Sequence, residues 1–182
     1  MNITTIGKGN IGGGLASRWE KAGHNVTKLG HDGGDASGSD AVLVAVFSDV
    51  IGEAIGRVSG IGDAVVIDAM NAFKGRNEEF DSLAHEVKSH VSGPVAKSFN
   101  CNFGALYDQI DGQRVPPCNL YAAEEGAVEV TEQLIGDAGF HPVSVGGLEN
   151  ARLLEEHLGL MMAISGGGLG QFFYRYAKPG EL

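Results

Sequence analysis

Basic residues are scarce in this chain: 13 Lys and Arg stand against 23 Asp and Glu, a formal net charge of -10. That balance argues against a nucleic-acid or anionic-membrane partner, which needs a basic surface. An anionic small molecule is still compatible, because backbone N–H groups bind anions locally. Cysteine is nearly absent as well. Cys101 and Cys118 form no framework and no CxxC pair. No metal-type spacing surrounds them, so no metal site is expected. Two reduced thiols and a cytoplasmic location are the expectation. No apolar run reaches the ~20 residues of a membrane span. The first residues enter a strand directly, with no cleavable leader pattern. Internal repeats and low-complexity tracts are missing too. What remains is 182 residues, 43% hydrophobic, enough for one globular body with a substantial core.

Glycine, by contrast, is abundant, with 29 residues, so only its placement carries meaning. Met1 to Ile6 is short, apolar and β-branched, which predicts a buried strand. Gly7, Gly9 and Gly12 follow at once in the spacing G-x-G-x-x-G. Ile11, Leu15, Trp19 and Ala22 then fall on one face of a helix. A glycine triplet between a strand and an amphipathic helix is the context of a dinucleotide site. Gly7 allows the tight turn, Gly9 lets backbone approach a pyrophosphate, and Gly12 lets the helix lie close on the sheet. The N–H groups of Lys8, Gly9, Asn10 and Ile11 would face the phosphates at the positive end of the helix dipole.

Further along, Asn25–Leu29 reads as a second strand. The turn formers from His31 to Asp40 are too few for a full crossover helix, so this unit looks truncated. Gly30 and His31 are the candidates for the adenosine end of a cofactor. Lys28 and His31 oppose Asp32 there, a mixed signal between a 2′-phosphate and free ribose hydroxyls. A phosphate contact led by His31 would tighten as pH falls toward the imidazole range; one led by Asp32 would favour NAD(H).

Ala41–Val46 predicts a central parallel strand with Phe47 and Ser48 at its carboxyl end. A short helix over Val50–Val58 and a strand over Ala64–Asp68 follow, then Met70, Asn71 and Ala72. Asn71 is placed to meet a nicotinamide ribose or amide. Phe80–Val91 reads as helix and Pro94–Ala96 as strand, ending in Ser98, Phe99 and Asn100. Asn119–Ala122, Glu124–Ala138 and His141–Val145 read as strand, helix and strand. This alternation is the pattern of an α/β, doubly wound, mostly parallel sheet. From Gly147 to Tyr176 the pattern becomes one long helical stretch interrupted by Gly166, Gly167, Gly168 and Gly170. His157 beside Glu155 and Glu156 reads first as a solvated helix face, and alternatively as a metal or acid–base cluster.

The pieces GKGNIG, AVLVAV, VVIDAMNAF, VAKSFNCNF and GFHPVSVGGLENARLLE together resemble the coenzyme F420-dependent NADP oxidoreductases and related dinucleotide-binding proteins. The resemblance spans nearly the whole chain, and AKSFN with GGLENARLLE carries most of its specificity. It implies a Rossmann-type domain over residues 1–146 and a helical extension over residues 147–182. That extension would pack on the domain and on a partner, commonly as a homodimer. It also implies direct hydride transfer between NADP(H) and a deazaflavin, with no catalytic acid or base. Under it, Gly7 to Gly12 are the pyrophosphate loop. Phe47 and Ser48 follow the third strand, and Asn71, Ala72 and Asn100 line the nicotinamide side. Gly30 and His31 fall where the family places a small polar residue and an arginine for the 2′-phosphate; the arginine is missing here. The reading is therefore an NADP(H)-binding oxidoreductase, with NAD(H) the other cofactor, acting on coenzyme F420 or a flavin-like acceptor. Two other readings stand beside it: an NAD(P)H-dependent reductase of a small imine or carbonyl, and a non-catalytic redox sensor that binds the dinucleotide.

Overall fold

The apolar runs of the sequence lie side by side in the computed structural model, which describes residues 1–180. Residues 181 and 182, the end of the expected helical extension, lie outside the described residues. In chain order the elements are β1 (Asn2–Ile6), α1 (Asn10–Lys21), β2 (Asn25–Leu29), β3 (Gly34–Asp35), β4 (Ala41–Val44), α2 (Ile51–Gly56) and β5 (Val58–Ser59). They continue as β6 (Val65–Asp68), α3 (Leu83–His90), β7 (Val95–Ser98), β8 (Cys118–Ala123), α4 (Val128–Asp137), β9 (His141–Ser144) and α5 (Ala151–Ile164). Seven strands form one sheet in the order β2-β1-β4-β6-β7-β8-β9. Every pairing in it is parallel except β7 with β8. Helices cover both faces, so the sheet is doubly wound and mostly parallel. The central strands are buried throughout, as parallel strands under two helical layers must be.

Two apolar clusters flank the sheet. Ile3, Leu15, Trp19, Leu43, Phe99 and Leu134 belong to one, and Ile6, Val44, Ile51, Leu83, Leu120 and Leu154 to the other. Trp19 shows why α1 sits where it does. Its ring is fully buried, meets Phe99 edge-on at 5.7 Å, and its Nε1 donates to the Leu134 carbonyl at 2.8 Å. Burying such a side chain stabilises the fold by roughly 1.5–3 kcal/mol, and the hydrogen bond removes the cost of its polar tip.

Between β2 and β4 the unit is truncated as the turn formers imply: no crossover helix forms there, and β3 pairs in parallel with β5 away from the main sheet. Other expectations shift at the edges. The strand expected over Ala41–Val46 ends at Val44, because Ala45 and Val46 bend out to line a groove. The stretch after Gly147 is not helical throughout. α5 ends at Ile164, a wide turn covers Ser165–Leu169, and the chain beyond is extended or irregular. Gly168 and Gly170 have φ values of +116° and +71°, which end the helix there. Residues after the turn fold back: the Cys118 N–H donates to the Tyr174 carbonyl at 2.9 Å, and Phe172 meets Phe103 at 5.6 Å.

Candidate functional site

A parallel sheet opens at the carboxyl ends of its strands, and the opening is widest where the chain reverses direction across the sheet. Here that point lies between β1 and β4: the chain goes from β1 outward to β2, then returns past β1 to β4. A groove of about 610 Å³ lies there. That is within the ~300–1,000 Å³ range of ligand sites.

The glycine loop forms its floor. Gly7 has φ +109°, and a Cβ on it would lie 2.2 Å from the Ala45 carbonyl oxygen. A Cβ on Gly12 would lie 2.1 Å from the Gly7 carbonyl oxygen. Both glycines therefore hold the loop and α1 against the sheet. Gly9 differs, because a Cβ there would meet nothing within 4 Å and would project into open space. Gly9 caps α1, no side chain caps the helix, and its first turn carries no acidic residue. The helix thus presents free N–H groups and the positive end of its dipole to the groove, which suits a pyrophosphate.

Of the residues singled out in the sequence, Gly7, Lys8, Gly9, Asn10, Ile11, Gly30, His31, Phe47 and Asn71 line the groove. The others sit behind its wall. Gly12 is buried under the loop. Ser48 faces the Phe73–Arg76 turn; its Oγ donates to the Gly75 carbonyl at 2.7 Å and accepts from the Lys74 N–H at 3.3 Å. Ala72 packs against the core. Asn100 lies behind Asn71, and the two are tied reciprocally. Asn71 Nδ2 donates to the Asn100 carbonyl at 2.9 Å, and Asn100 Nδ2 donates to Asn71 Oδ1 at 3.0 Å. Asn100 Nδ2 also donates to the Leu154 carbonyl at 2.9 Å, which joins this wall to α5. Phe99, just before it, has φ +62°. An aromatic residue in that region costs of order 1–3 kcal/mol and is held there by its packing against Trp19.

The structure adds residues that the sequence did not single out. Val50, Glu53, Ala54 and Arg57 line the groove from α2 and its ends. Their 3-and-4 spacing on a helix that follows a central strand is the signal that would have found them. Arg57 donates from one guanidinium nitrogen to the His31 carbonyl at 2.9 Å and to His31 Nε2 at 3.0 Å. Its other terminal nitrogen meets Glu53 Oε1 at 2.5 Å. An arginine from the end of α2 thus stands beside the end of β2. Lys28, by contrast, points away from the groove and pairs with Glu20 at 2.7 Å.

Behind the other end of the groove lies a buried ionic network. Lys97 Nζ is 2.7 Å from Asp68 Oδ2, donates to the Met70 carbonyl at 2.6 Å, and is 3.4 Å from Glu155 Oε1. Glu155 also accepts from the Leu83 N–H at 2.8 Å and from Arg76 at 2.5 Å. Glu155 is therefore neither part of a solvated face nor a metal ligand; it is a buried anion holding α3, Arg76 and Lys97. No cluster of His, Cys, Asp or Glu among the described residues has the arrangement to hold a metal ion. His157 stands apart, edge-on to Tyr174 at 6.0 Å.

The groove is electrostatically divided. Lys8, His31, Glu53 and Arg57, its ionisable residues, belong to the half beyond β1, β2 and α2. The half beyond β6 is formed by Ala69, Met70, Asn71 and Phe73, with Phe47 between the two. Phe47 and Phe73 are 64% and 67% exposed, large apolar rings left open at the rim.

No family model and no curated protein match the sequence. Solved structures do. One is a protein from Arthrobacter sp. FB24 to which F420-dependent NADP reduction has been ascribed. It shares 18% identity and a TM-score of 0.78 over 98% of this chain and 100% of that one. A hypothetical protein from Sinorhizobium meliloti shares 24% identity and a TM-score of 0.63, over 96% of this chain and 90% of that one. A reductive aminase from Aspergillus terreus, solved with NADPH and ethyl levulinate, shares 14% identity and a TM-score of 0.65; 93% of this chain covers 62% of that one. This chain thus spans less than two thirds of the aminase. Among the described residues no helix is long and apolar enough to cross a membrane. At these identities the likeness establishes architecture: the chain has a Rossmann-type α/β fold, matched over 98% of its length by the Arthrobacter structure.

Proposed function

We propose that this protein is a cytoplasmic NADP(H)-binding oxidoreductase that moves a hydride between the nicotinamide and a deazaflavin such as coenzyme F420, or a flavin-like ring. The residues present fit a dinucleotide. The uncapped start of α1 would hold the pyrophosphate, the Gly30–His31 end the adenosine, and the Ala69–Phe73 end the nicotinamide. The bound dinucleotide supplies the hydride chemistry; the protein supplies position and exclusion of water.

The observation that carries the reading is the division of the groove. Reduction of an imine or carbonyl needs a proton donor at the reacting end; Ala69, Met70, Asn71 and Phe73, which line that end, do not ionise, and the neighbouring Lys74 ammonium lies over the Phe47 ring, 5.9 Å from its centroid. A ring-to-ring hydride transfer asks for flat apolar surface instead, which the exposed rings of Phe47 and Phe73 supply. The Arthrobacter protein, to which F420-dependent NADP reduction has been ascribed, and the Aspergillus aminase, solved with NADPH, support the cofactor.

The test mixes the protein with NADPH and oxidised coenzyme F420 and follows nicotinamide absorbance. A loss whose rate scales with enzyme concentration supports the reading. Turnover with cyclic imines or ketones but not with F420 or flavin moves the protein to the imine or carbonyl reductases. Tight NADPH binding with no turnover on either set makes it a redox sensor.

A further inference from the structure

We propose that Arg57 is the residue that distinguishes NADP(H) from NAD(H), with Glu53 its resting counter-ion and the β3–β5 ladder the device that delivers it. The inference rests on the dinucleotide reading above and names the residue that selects within that class. The end of β2, where such a residue is expected, offers only Gly30, His31 and Asp32. Asp32 is fully exposed and 3.6 Å from His31. The loop instead turns back on itself, with the Gly33 N–H donating to the Gly30 carbonyl at 3.1 Å. It then lays Gly34 and Asp35 alongside Val58 and Ser59. The Gly34 N–H donates to the Arg57 carbonyl at 3.2 Å, and the Ala36 N–H to the Ser59 carbonyl at 2.8 Å. Asp35 Oδ1 accepts from Ser59 Oγ at 2.9 Å. At Gly33, with φ +74°, a Cβ would lie 2.1 Å from the Arg57 carbonyl oxygen. Only glycine lets the two segments approach this closely. The backbone of residue 57 is thus clamped to the loop that follows β2.

The side chains converge from there. Arg57 is oriented by the His31 carbonyl and ring on one side and by Glu53 on the other. Lys8 reaches across from the glycine loop, its Nζ 3.0 Å from where a Gly30 Cβ would be. Lys8, His31 and Arg57 therefore line the same end of the groove as Gly30, and Lys8 occupies the space that a side chain at Gly30 would take. The Arg57–Glu53 contact is an i,i+4 pair, 39% and 56% exposed, which contributes little and exchanges readily. A phosphate carries more charge than a carboxylate and matches the guanidinium fork. A 2′-phosphate would displace Glu53 and keep the His31 carbonyl contact. Without Arg57, Glu53 is left to face free ribose hydroxyls, the arrangement that favours NAD(H).

The test titrates 2′,5′-ADP and 5′-AMP into the full chain by calorimetry in phosphate-free buffer. The proteins are wild type, Arg57→Ala, Arg57→Lys and Glu53→Gln, each checked for folding by circular dichroism. Wild type is expected to prefer 2′,5′-ADP. Arg57→Ala should weaken 2′,5′-ADP by about ten- to hundredfold and leave 5′-AMP unchanged. Arg57→Lys should recover part of the loss, and Glu53→Gln should tighten 2′,5′-ADP. Equal weakening of both probes by Arg57→Ala, or none, overturns the assignment, as does a wild-type preference for 5′-AMP. Failure of folded wild type to bind either probe or any dinucleotide overturns the dinucleotide reading itself.

Discussion

Gly9 and Gly12 stand three residues apart in one motif, and substituting them should have opposite consequences. Valine at Gly9 points into open groove, so the fold should survive while cofactor affinity falls by about tenfold or more, 1.4 kcal/mol. Valine at Gly12 must displace the Gly7 backbone and should destabilise the protein by about 3 kcal/mol or more. Denaturant unfolding and NADPH titration on the two variants separate these effects. An unchanged affinity in folded Gly9→Val would sink the pyrophosphate assignment. His31 is also constrained by its neighbour. An arginine only donates, so the ring nitrogen facing Arg57 accepts. Lys8, Asp32 and Glu53 complete the charged surroundings. Cys101 is legible as inert for a different reason. Burial pushes its thiol up to about 12, and its Sγ donates to the Leu154 carbonyl at 3.2 Å. Thiol reagents at pH 8 should label the native protein slowly and the unfolded protein fast.

The elements β6, β7, α3 and α5 are joined by charges rather than by apolar contact alone. Lys97, Asp68 and Glu155 are fully or almost fully buried, so each depends on its partners for the solvation it has lost. Lys97→Met should destabilise the protein by about 3–5 kcal/mol, because it strands the Asp68 carboxylate. Adding Asp68→Asn should recover part of that loss, since the amide oxygen can still accept from the Met70 N–H at 2.8 Å. Burial raises the Asp68 carboxyl above the ordinary carboxylate range, an effect that outweighs the opposing pull of Lys97. Without Lys97 the rise is greater. A carboxyl raised in the folded state binds protons that the unfolded chain has released, so stability falls as pH rises through the gap. Lys97→Met should therefore unfold more easily at about pH 8 than at about pH 5, by more than wild type does. None of this network was legible in sequence. A lysine in an apolar strand and a glutamate beside another glutamate look ordinary until four elements meet.

For the whole molecule, the segment after Gly147 matters most. Its inward residues, Leu148, Ala151, Leu154 and Met161, belong to the core. Its outward residues, Leu153, Leu160, Met162, Ile164 and Leu169, are 40–63% exposed. We propose that the segment over residues 147–180 packs inward on the Rossmann-type body and outward on a second copy of the chain. Deleting the segment would strip the core, so a point substitution is the better test. Light scattering should give a dimer for wild type and a shift toward monomer for Leu160→Glu; a wild-type monomer across micromolar concentrations contradicts the proposal.

Patterns with a short period were readable from the chain. The strand–glycine–helix start, the buried central strands and the alternation of elements rest on residues a few positions apart, and backbone sterics with hydrophobic periodicity act over that range. Gly7, Gly9 and Gly12 could be assigned separate tasks for the same reason. What sequence could not supply was anything assembled from distant segments. Arg57 lies 26 residues after His31, and only the β3–β5 ladder makes them neighbours. Lys97, Asp68 and Glu155 come from two strands and a helix. The sequence marked Gly168 and Gly170 among the interruptions of the helical stretch, but the positive φ values that end the turn after α5 there are a property of the folded backbone. Local propensity decides which elements form; which side chains share a groove or a buried charge depends on the order in which the sheet stacks them, a long-range outcome of packing.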